Sequence, residues 1–507
     1  MLFNSYIFIF LFLPVTYFIF WGLQKIGWLQ AAMSFLVLAS LAFYSYWNPP
    51  FVFLIIASIV FNYEAAHLIT QNEKWKKAAV WAGVAGNLGL LGYFKYAGFF
   101  AANIFTLTGY DFSPSEIFLP LGISFFTFQQ ITYLLDLYKK KIELAGFRDY
   151  ALFVSFFPQL IAGPIVHAKE MLPQFRDFEG HKNFYTNMAM GLSLFSVGLF
   201  KKVVLADQFA GYATPMFERA DDSNLSFFDG WTGALAYTFQ LYFDFSGYSD
   251  MALGLAALFG IYLPYNFFSP YKAISISDFW RRWHITMSRF FRDYIYIPLG
   301  GNRVRASQQT ANLMMTMFLA GLWHGAGWTF IFWGVLHGIY LIINHIFSLV
   351  RVKYLTFIKG GASFTAFAHI LTLMAVVVGW VFFRAENFDI ALNMLKAMFG
   401  FNGVVVPRQI FDSVLSHNGT GWIRLASDGD LWLNNSAWSL PWLFAGYLIC
   451  ILLPNSMQLY YGREGMGGYG IAQNSKRFKL YAGVAGLAFV IALFSMQRVS
   501  EFLYFQF

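Results

Sequence analysis

The sequence contains little cysteine and little charge. Cys450 is the one cysteine in 507 residues, so neither a disulfide framework nor a cysteine-based metal site can be built. Charged residues make up 12% of the chain, against roughly 25% in soluble domains. Hydrophobic residues make up 58%, and apolar runs of about 20 residues, the length of a transmembrane helix, recur from end to end. The composition therefore predicts an all-α polytopic membrane protein.

Two inter-helix loops, 47–50 and 106–116, contain no Lys or Arg. The loops that alternate with them are basic and contain Lys25, the cluster 72–77 and Lys139–Lys141. By the positive-inside rule, the basic loops are cytoplasmic and the N-terminus lies outside the cytoplasm. The net charge of +8 is then a feature of topology, and we expect no nucleic-acid binding. The N-terminus lacks a basic leader and a cleavage site, so we expect its first helix to be retained.

We expect about eleven spans within a single transmembrane domain covering 1–507. Residues 151–166 are apolar but interrupted by proline and glycine, which predicts a re-entrant segment. The stretch 226–262 is long enough for two passes, and we interpret 384–440 as a polar extracytoplasmic insertion. The predicted spans lie near 3–22, 30–46, 51–69, 79–105, 117–137, 187–205, 226–262, 311–346, 362–383, 441–457 and 478–498.

A basic amphipathic segment runs from Trp280 to Tyr294. If it is one helix, its aromatic residues share one face with His284, and Arg281 and Arg282 lie on the other. Such a helix lies in the membrane interface, where its basic face meets lipid phosphates or an anionic substrate. His284 should point into the protein. The turn 298–303 that follows contains two adjacent glycines and could approach a phosphate.

A histidine, His324, lies within the glycine-rich apolar stretch 321–328. Ionisable residues inside a membrane are candidates for functional sites. His337 follows 13 residues later, about 220° away on a continuous helix, so the two histidines would not share a face. With no carboxylate at ligand spacing, we expect no metal site and favour a general base. Asp244, in another apolar segment, must be paired or face a polar cavity, and both a structural and a functional role remain open.

Motifs along nearly the whole chain resemble the membrane-bound O-acyltransferase superfamily, and within it the alginate O-acetyltransferase branch. The segment 401–440 contains none of them. The matching motifs are Leu119–Gln129, Phe157–Pro164, Tyr242–Asp250, Phe279–His284, 298–303, Leu322–Gly325, Trp380–Arg384 and Tyr504–Phe507.

The resemblance implies that His324 is the catalytic histidine and that His284 is the second functional one. It also implies a ring of helices around a central tunnel and a cytoplasmic donor, acetyl-CoA, that acts as a substrate rather than a bound cofactor. An extracytoplasmic esterase-like partner would complete transfer to a polysaccharide of the alginate, peptidoglycan or cellulose type. We expect further donor or substrate contacts from Arg281, Arg282, Trp283, Asn302, Arg303, Trp323, Asp244 and Gln240.

The implied location is the bacterial cytoplasmic (inner) membrane. Two alternatives remain open at this point. D-alanyl transfer to teichoic acid would use related chemistry, whereas a transporter or channel would share the polytopic, basic-inside pattern without any acyl transfer.

Overall fold

The computed structural model describes residues 1–110, 117–220, 225–354, 361–406, 423–425, 431–461, 475–496 and 502–503. Its described residues form two compact units. The first draws on 1–200, 247–266 and 456–506, and the second on 201–246 and 267–455.

The first ten helices belong to the first unit. They are α1 (Leu13–Lys25), α2 (Leu29–Ser45), α3 (Phe51–Gln71), α4 (Lys76–Leu91), α5 (Ala97–Thr108), α6 (Ile123–Tyr138), α7 (Phe147–Ser155), α8 (Phe157–Leu160), α9 (Ala168–Arg176) and α10 (Phe184–Phe200). Single π-helical turns at Phe8–Phe12 and Gly92–Tyr96 precede α1 and α5, and a 3-10 turn at Gly180–Asn183 precedes α10.

The later elements begin with a π-helical turn, Lys201–Ala206, and include a 3-10 turn at Pro270–Lys272 and another π-helical turn at Arg292–Tyr296. The helices are α11 (Asp207–Arg219), α12 (Phe227–Leu258), α13 (Ile276–Arg282), α14 (Ile285–Phe291), α15 (Ala306–His324), α16 (Trp328–Tyr354), α17 (Ala362–Arg384), α18 (Phe388–Met398), α19 (Leu431–Leu452), α20 (Ser456–Tyr461) and α21 (Ser475–Ser495). Two three-residue parallel strands, β1 (Val404–Val406) and β2 (Ile423–Leu425), pair with Val405 opposite Arg424.

Five helical segments in the described part of the chain are long and apolar enough to cross a membrane, which agrees with an all-α polytopic membrane protein. Three shorter apolar helices accompany them, and the count of about eleven spans stays a prediction. The five are Phe8–Lys25, Phe51–Gln71, Phe184–Arg219, Trp328–Tyr354 and Ala362–Arg384.

The division of 226–262 into two passes is wrong. This stretch forms one 32-residue helix, α12, because no proline and no polar turn interrupts its apolar sequence. The predicted insertion 384–440 begins with α18, which Asn387 caps and which buries Ile390, Ala391 and Met394. Residues 407–422, in the middle of the insertion, and the final motif 504–507 lie outside the described residues.

The chain breaks where the re-entrant segment was predicted. Phe156 separates α7 from α8 with a ψ of 109°. A cavity of about 750 Å³ in the first unit is lined by Gly146, which precedes the segment, and by Lys169, which follows it. The same cavity is lined by Lys76 and Lys140 from two of the loops predicted to be cytoplasmic. The segment therefore enters and leaves at one face, where two of the basic loops also meet.

Candidate active site

The predicted continuous helix from Trp280 to Tyr294 is broken at His284. Helix α13 ends at Arg282 and α14 begins at Ile285, while His284 between them has a φ of 43°. This left-handed conformation costs a non-glycine residue about 1–2 kcal/mol. The single helix is thus a wrong prediction, but the inward orientation is right, since His284 is 0% exposed.

Aromatic side chains and a second histidine surround His284. The ring of Phe245 packs edge-on against the imidazole at a centroid distance of 4.8 Å. Trp323 lies 5.9 Å away and His324 lies 6.2 Å away, also between ring centroids. The structure therefore brings together the two histidines that the sequence singles out.

His324 is the last residue of α15, directly before the break that separates this helix from α16. The two helices approach closely at Gly321 and Gly334, where a Cβ would lie 2.4 Å from a backbone oxygen of the other helix. Glycine at these two positions permits the contact. The side chain of His324 is 4% exposed, and its ring is 5.1 Å from that of Trp333.

The distance between the two imidazoles limits what they can do. At a centroid separation of 6.2 Å the rings are too far apart for a direct hydrogen bond. A neutral imidazole can accept a proton at one nitrogen and donate at the other. Within the described part of the chain, no three His, Cys, Asp or Glu side chains lie close enough to hold a metal ion.

His337 lies nearer to His324 than the sequence suggests. The angle of about 220° assumed one continuous helix, but residues 325–327 break it and α16 packs back along α15. As a result, the ring of Trp333 lies between the two histidines, 5.1 Å from His324 and 5.0 Å from His337. No role was predicted for Trp333, because a tryptophan in an apolar run directly before a glycine carries no distinguishing signal.

A cavity of about 360 Å³ is lined by two of the predicted donor contacts, Arg281 and Asn302. The side-chain oxygen of Asn302 accepts hydrogen bonds from the Tyr296 hydroxyl at 2.5 Å and from the Gln309 amide at 3.1 Å. Arg303, which follows the glycine turn, is exposed on the surface. The two glycines of the turn adopt the positive φ angles predicted for them, 108° at Gly300 and 54° at Gly301.

Arg282, Trp283 and Trp323 support the site rather than line this cavity. The Nε of Arg282 donates to Asp278 at 2.8 Å, and its Nη1 donates to the backbone oxygen of Phe268 at 3.4 Å, so two donors of this guanidinium are occupied. Trp283 is 3% exposed and packs on Trp380 at 4.9 Å. Trp323, also 3% exposed, contacts both His284 and His324.

Asp244 is ion-paired inside the second unit. Its carboxylate lies 2.8 Å from the Nζ of Lys202, which also contacts Asp207 at 2.9 Å. This pairing favours the structural one of the two roles left open. Gln240, one turn earlier on α12, is 7% exposed. Lys202 was missed, although a lysine in the apolar run 184–219 is the signal that could have found it.

Residues 120–382 match the model of the membrane-bound O-acyltransferase family. The chain is 47% identical to a peptidoglycan O-acetyltransferase of Helicobacter pylori over 80% of its own length and 81% of that protein. It is 41% identical to a probable alginate O-acetylase AlgI of Azotobacter vinelandii, over 79% and 78% of the two chains. A teichoic acid D-alanyltransferase of Streptococcus thermophilus is 30% identical over 44% of this chain and 56% of its own.

Proposed function

Because the chain belongs to the membrane-bound O-acyltransferase family, we propose that it moves acetyl groups from cytoplasmic acetyl-CoA to an extracytoplasmic polysaccharide. The observation that carries the proposal is the pair of buried imidazoles, His284 and His324, whose ring centroids lie 6.2 Å apart. The O-acetyltransferase and O-acetylase named among the relatives support this chemistry.

His324 acts as the general base in this mechanism. Its imidazole takes the proton of the acceptor hydroxyl while the hydroxyl oxygen attacks the carbonyl carbon of the thioester. The carbon–sulfur bond then breaks, and the departing thiolate takes up the proton from the imidazolium as free CoA. Burial among Trp323, Trp333 and Phe383 keeps water away from His324, which favours transfer over hydrolysis.

His284 orients the reacting carbonyl from the opposite side of the gap. An N–H of its imidazole can donate to the carbonyl oxygen, which gains negative charge as the hydroxyl attacks. The left-handed backbone at His284 turns the side chain inward at a break between two helices, and such strained residues are typical of functional sites.

The donor enters beside Arg281 and Asn302, which line the 360 Å³ cavity. Arg281 and the surface residue Arg303 supply positive charge for the phosphates of CoA. Gln240 and Trp323 remain proposed contacts for the transferred group, whereas Arg282, Trp283 and Asp244 hold the surrounding structure.

The final acceptor is peptidoglycan or an exopolysaccharide of the alginate or cellulose type, to which an extracytoplasmic esterase-like partner transfers the acetyl group that it has received. The protein then lies in the bacterial inner membrane with its N-terminus outside the cytoplasm, as the basic loops indicate. Peptidoglycan is tested first because the relative that acts on it has the higher identity of the two, 47% against 41%.

Replacing His324 with Ala tests the proposal. We expect acetyl transfer to fall by about 10²- to 10⁴-fold, the usual contribution of a positioned base. Free CoA released from acetyl-CoA and the acetyl content of peptidoglycan and secreted polysaccharide are measured in parallel. His67→Ala, on α3 of the first unit, is the matched control and should leave both quantities unchanged.

Wild-type acetylation by a well-folded His324→Ala variant would contradict the assignment of the base. Absence of CoA release by the wild-type protein would favour a transporter or channel. Product D-alanylation without acetylation would favour the teichoic acid reaction.

A further inference from the structure

Three ring systems in the second unit form a compact cluster, which we call the His337 cluster: Trp280, Trp333 and His337. Their ring centroids lie 5.0 Å apart for Trp333 and His337, 5.3 Å for Trp280 and His337, and 5.8 Å for Trp280 and Trp333. The side chains of Trp333 and His337 are 0% exposed, and Trp280 is 8% exposed. Each of the three therefore touches the other two away from water.

The polar atoms of the His337 cluster have no hydrogen-bond partner among the described residues. Both ring nitrogens of His337 are buried without a partner, and so are the indole nitrogens of Trp280 and Trp333. A buried polar group without a partner costs free energy, and most such groups in folded proteins are paired. The cluster thus holds two N–H donors and an imidazole, which offers one donor and one acceptor.

A glycine of a neighbouring helix allows that helix to pack closely against His337. A Cβ built on Gly379 of α17 would lie 2.7 Å from the Nε2 of His337, closer than real Cβ contacts come. Any side chain at this position would press on a polar atom that has no partner. The backbone of Gly379 therefore packs directly against Nε2, and an added methyl group would displace the imidazole.

The cluster adjoins both the cavity and the reaction centre. Trp280 lines the 360 Å³ cavity together with Arg281, and so does Leu341, one turn beyond His337. On the other side, the ring of Trp333 lies 5.1 Å from that of His324. The three rings thus connect the cavity at Arg281 with the ring of His324.

We propose that the His337 cluster binds an amide group in the arm of the thioester donor and so positions the thioester at His324. An amide offers one N–H and one carbonyl oxygen, which the imidazole and the indole N–H groups complement. The pantetheine arm of CoA contains amides at this end, whereas a simple alkyl thioester contains none. The proposal rests on the proposed function and adds to it the part of the donor that is recognised.

The experiment compares two thioacetates of equal length, S-acetyl-N-acetylcysteamine, which has an amide, and an alkyl thioacetate, which has none. Thiol release is measured in membranes that carry the full chain, and kcat/KM is obtained for each donor. We expect the wild-type protein to prefer the amide-bearing donor by about five- to tenfold, the effect of one or two hydrogen bonds.

His337→Phe should reduce this preference to near one, whereas His337→Gln, which keeps a donor and an acceptor, should restore part of it. Trp280→Phe keeps an aromatic ring at this position while it removes the indole N–H, so it is a second variant with a smaller risk of a folding defect. Gly379→Ala should lower the preference with His337 intact. Gly486→Ala, where nothing lies within 4 Å of the new Cβ, is the matched control and should not.

If His337 has only a structural role, His337→Phe will lower kcat/KM for both donors equally. An unchanged preference in both His337→Phe and Trp280→Phe would therefore overturn this inference but leave the proposed function in place. Absence of thiol release from every donor by the wild-type protein would overturn the proposed function, and the inference with it.

Discussion

Two buried amides of the first unit, Asn62 and Asn87, are paired with each other, whereas the polar atoms around His337 in the second unit have no partner among the described residues. In the first unit, the amide of Asn62 donates to Asn87 at 3.3 Å, and Asn87 donates back at 2.6 Å. Each amide also donates to a backbone oxygen of its own helix, at 2.9 Å and 2.8 Å. In the second unit, His337 and its two tryptophan neighbours have no such partners among the described residues.

This difference separates polar groups that hold helices together from polar groups that await a ligand. Hydrogen bonds between neighbouring helices stabilise membrane proteins, and the reciprocal Asn62–Asn87 pair between α3 and α4 is of this kind. Among the described residues, the polar atoms of the His337 cluster form no such hydrogen bonds, so their presence needs another reason. The contrast is one of function and not of location, because the charges of Lys202 and Asp244 in the second unit are paired.

The largest stability effect is expected where a paired charge is broken. Lys202→Met leaves the buried carboxylate of Asp244 without its cation, which costs about 3–5 kcal/mol. Adding Asp244→Asn to Lys202→Met should recover part of this loss, because the uncompensated charge is then removed. Thermal unfolding in detergent measures both. A Lys202→Met variant as stable as the wild type would show that the ion pair is not structural.

The sequence predicts the membrane class and the two histidines, because these depend on composition and on single ionisable residues in apolar runs. It also predicts that the side chain of His284 points into the protein, because the aromatic face of this segment is buried even though the helix is broken at His284. It cannot predict the break itself, because the left-handed backbone at His284 is imposed by packing in three dimensions. The prediction that His324 and His337 lie apart is wrong for the same reason. A three-residue turn after His324 ends the helix, so the position of His337 depends on how α16 packs against α15 and not on the geometry of one continuous helix.

An intermediate effect is expected in the first unit. Asn62→Leu leaves the amide of Asn87 without its partner, which should cost about 1–3 kcal/mol of unfolding free energy. The double replacement of Asn62 and Asn87 by Leu should be closer to the wild type than either single variant, because no polar group is then left unsatisfied. Acetyl transfer per folded molecule should not change. A loss of activity at constant folded fraction would mean that this pair contributes to function, which would break the comparison.

The smallest effect is expected for two consecutive arginines that differ in their partners. Arg282 is bonded to Asp278, so Arg282→Gln should lower stability slightly, by about 0.2–1 kcal/mol for a partly exposed pair, without changing the KM for the donor. Arg281 is exposed at the cavity, so Arg281→Gln should raise the KM for acetyl-CoA severalfold with little change in stability.

A comparison of acetyl-CoA with an uncharged donor distinguishes phosphate binding by Arg281 from any other role of this residue. S-acetyl-N-acetylcysteamine has no phosphate, so its KM should be the same in the wild type and in Arg281→Gln. The shift for acetyl-CoA should also shrink as salt is added, because ions screen an exposed arginine. Equal shifts for both donors would show that Arg281 shapes the cavity instead of binding phosphate. In that case the recognition of the donor rests on the uncharged His337 cluster alone.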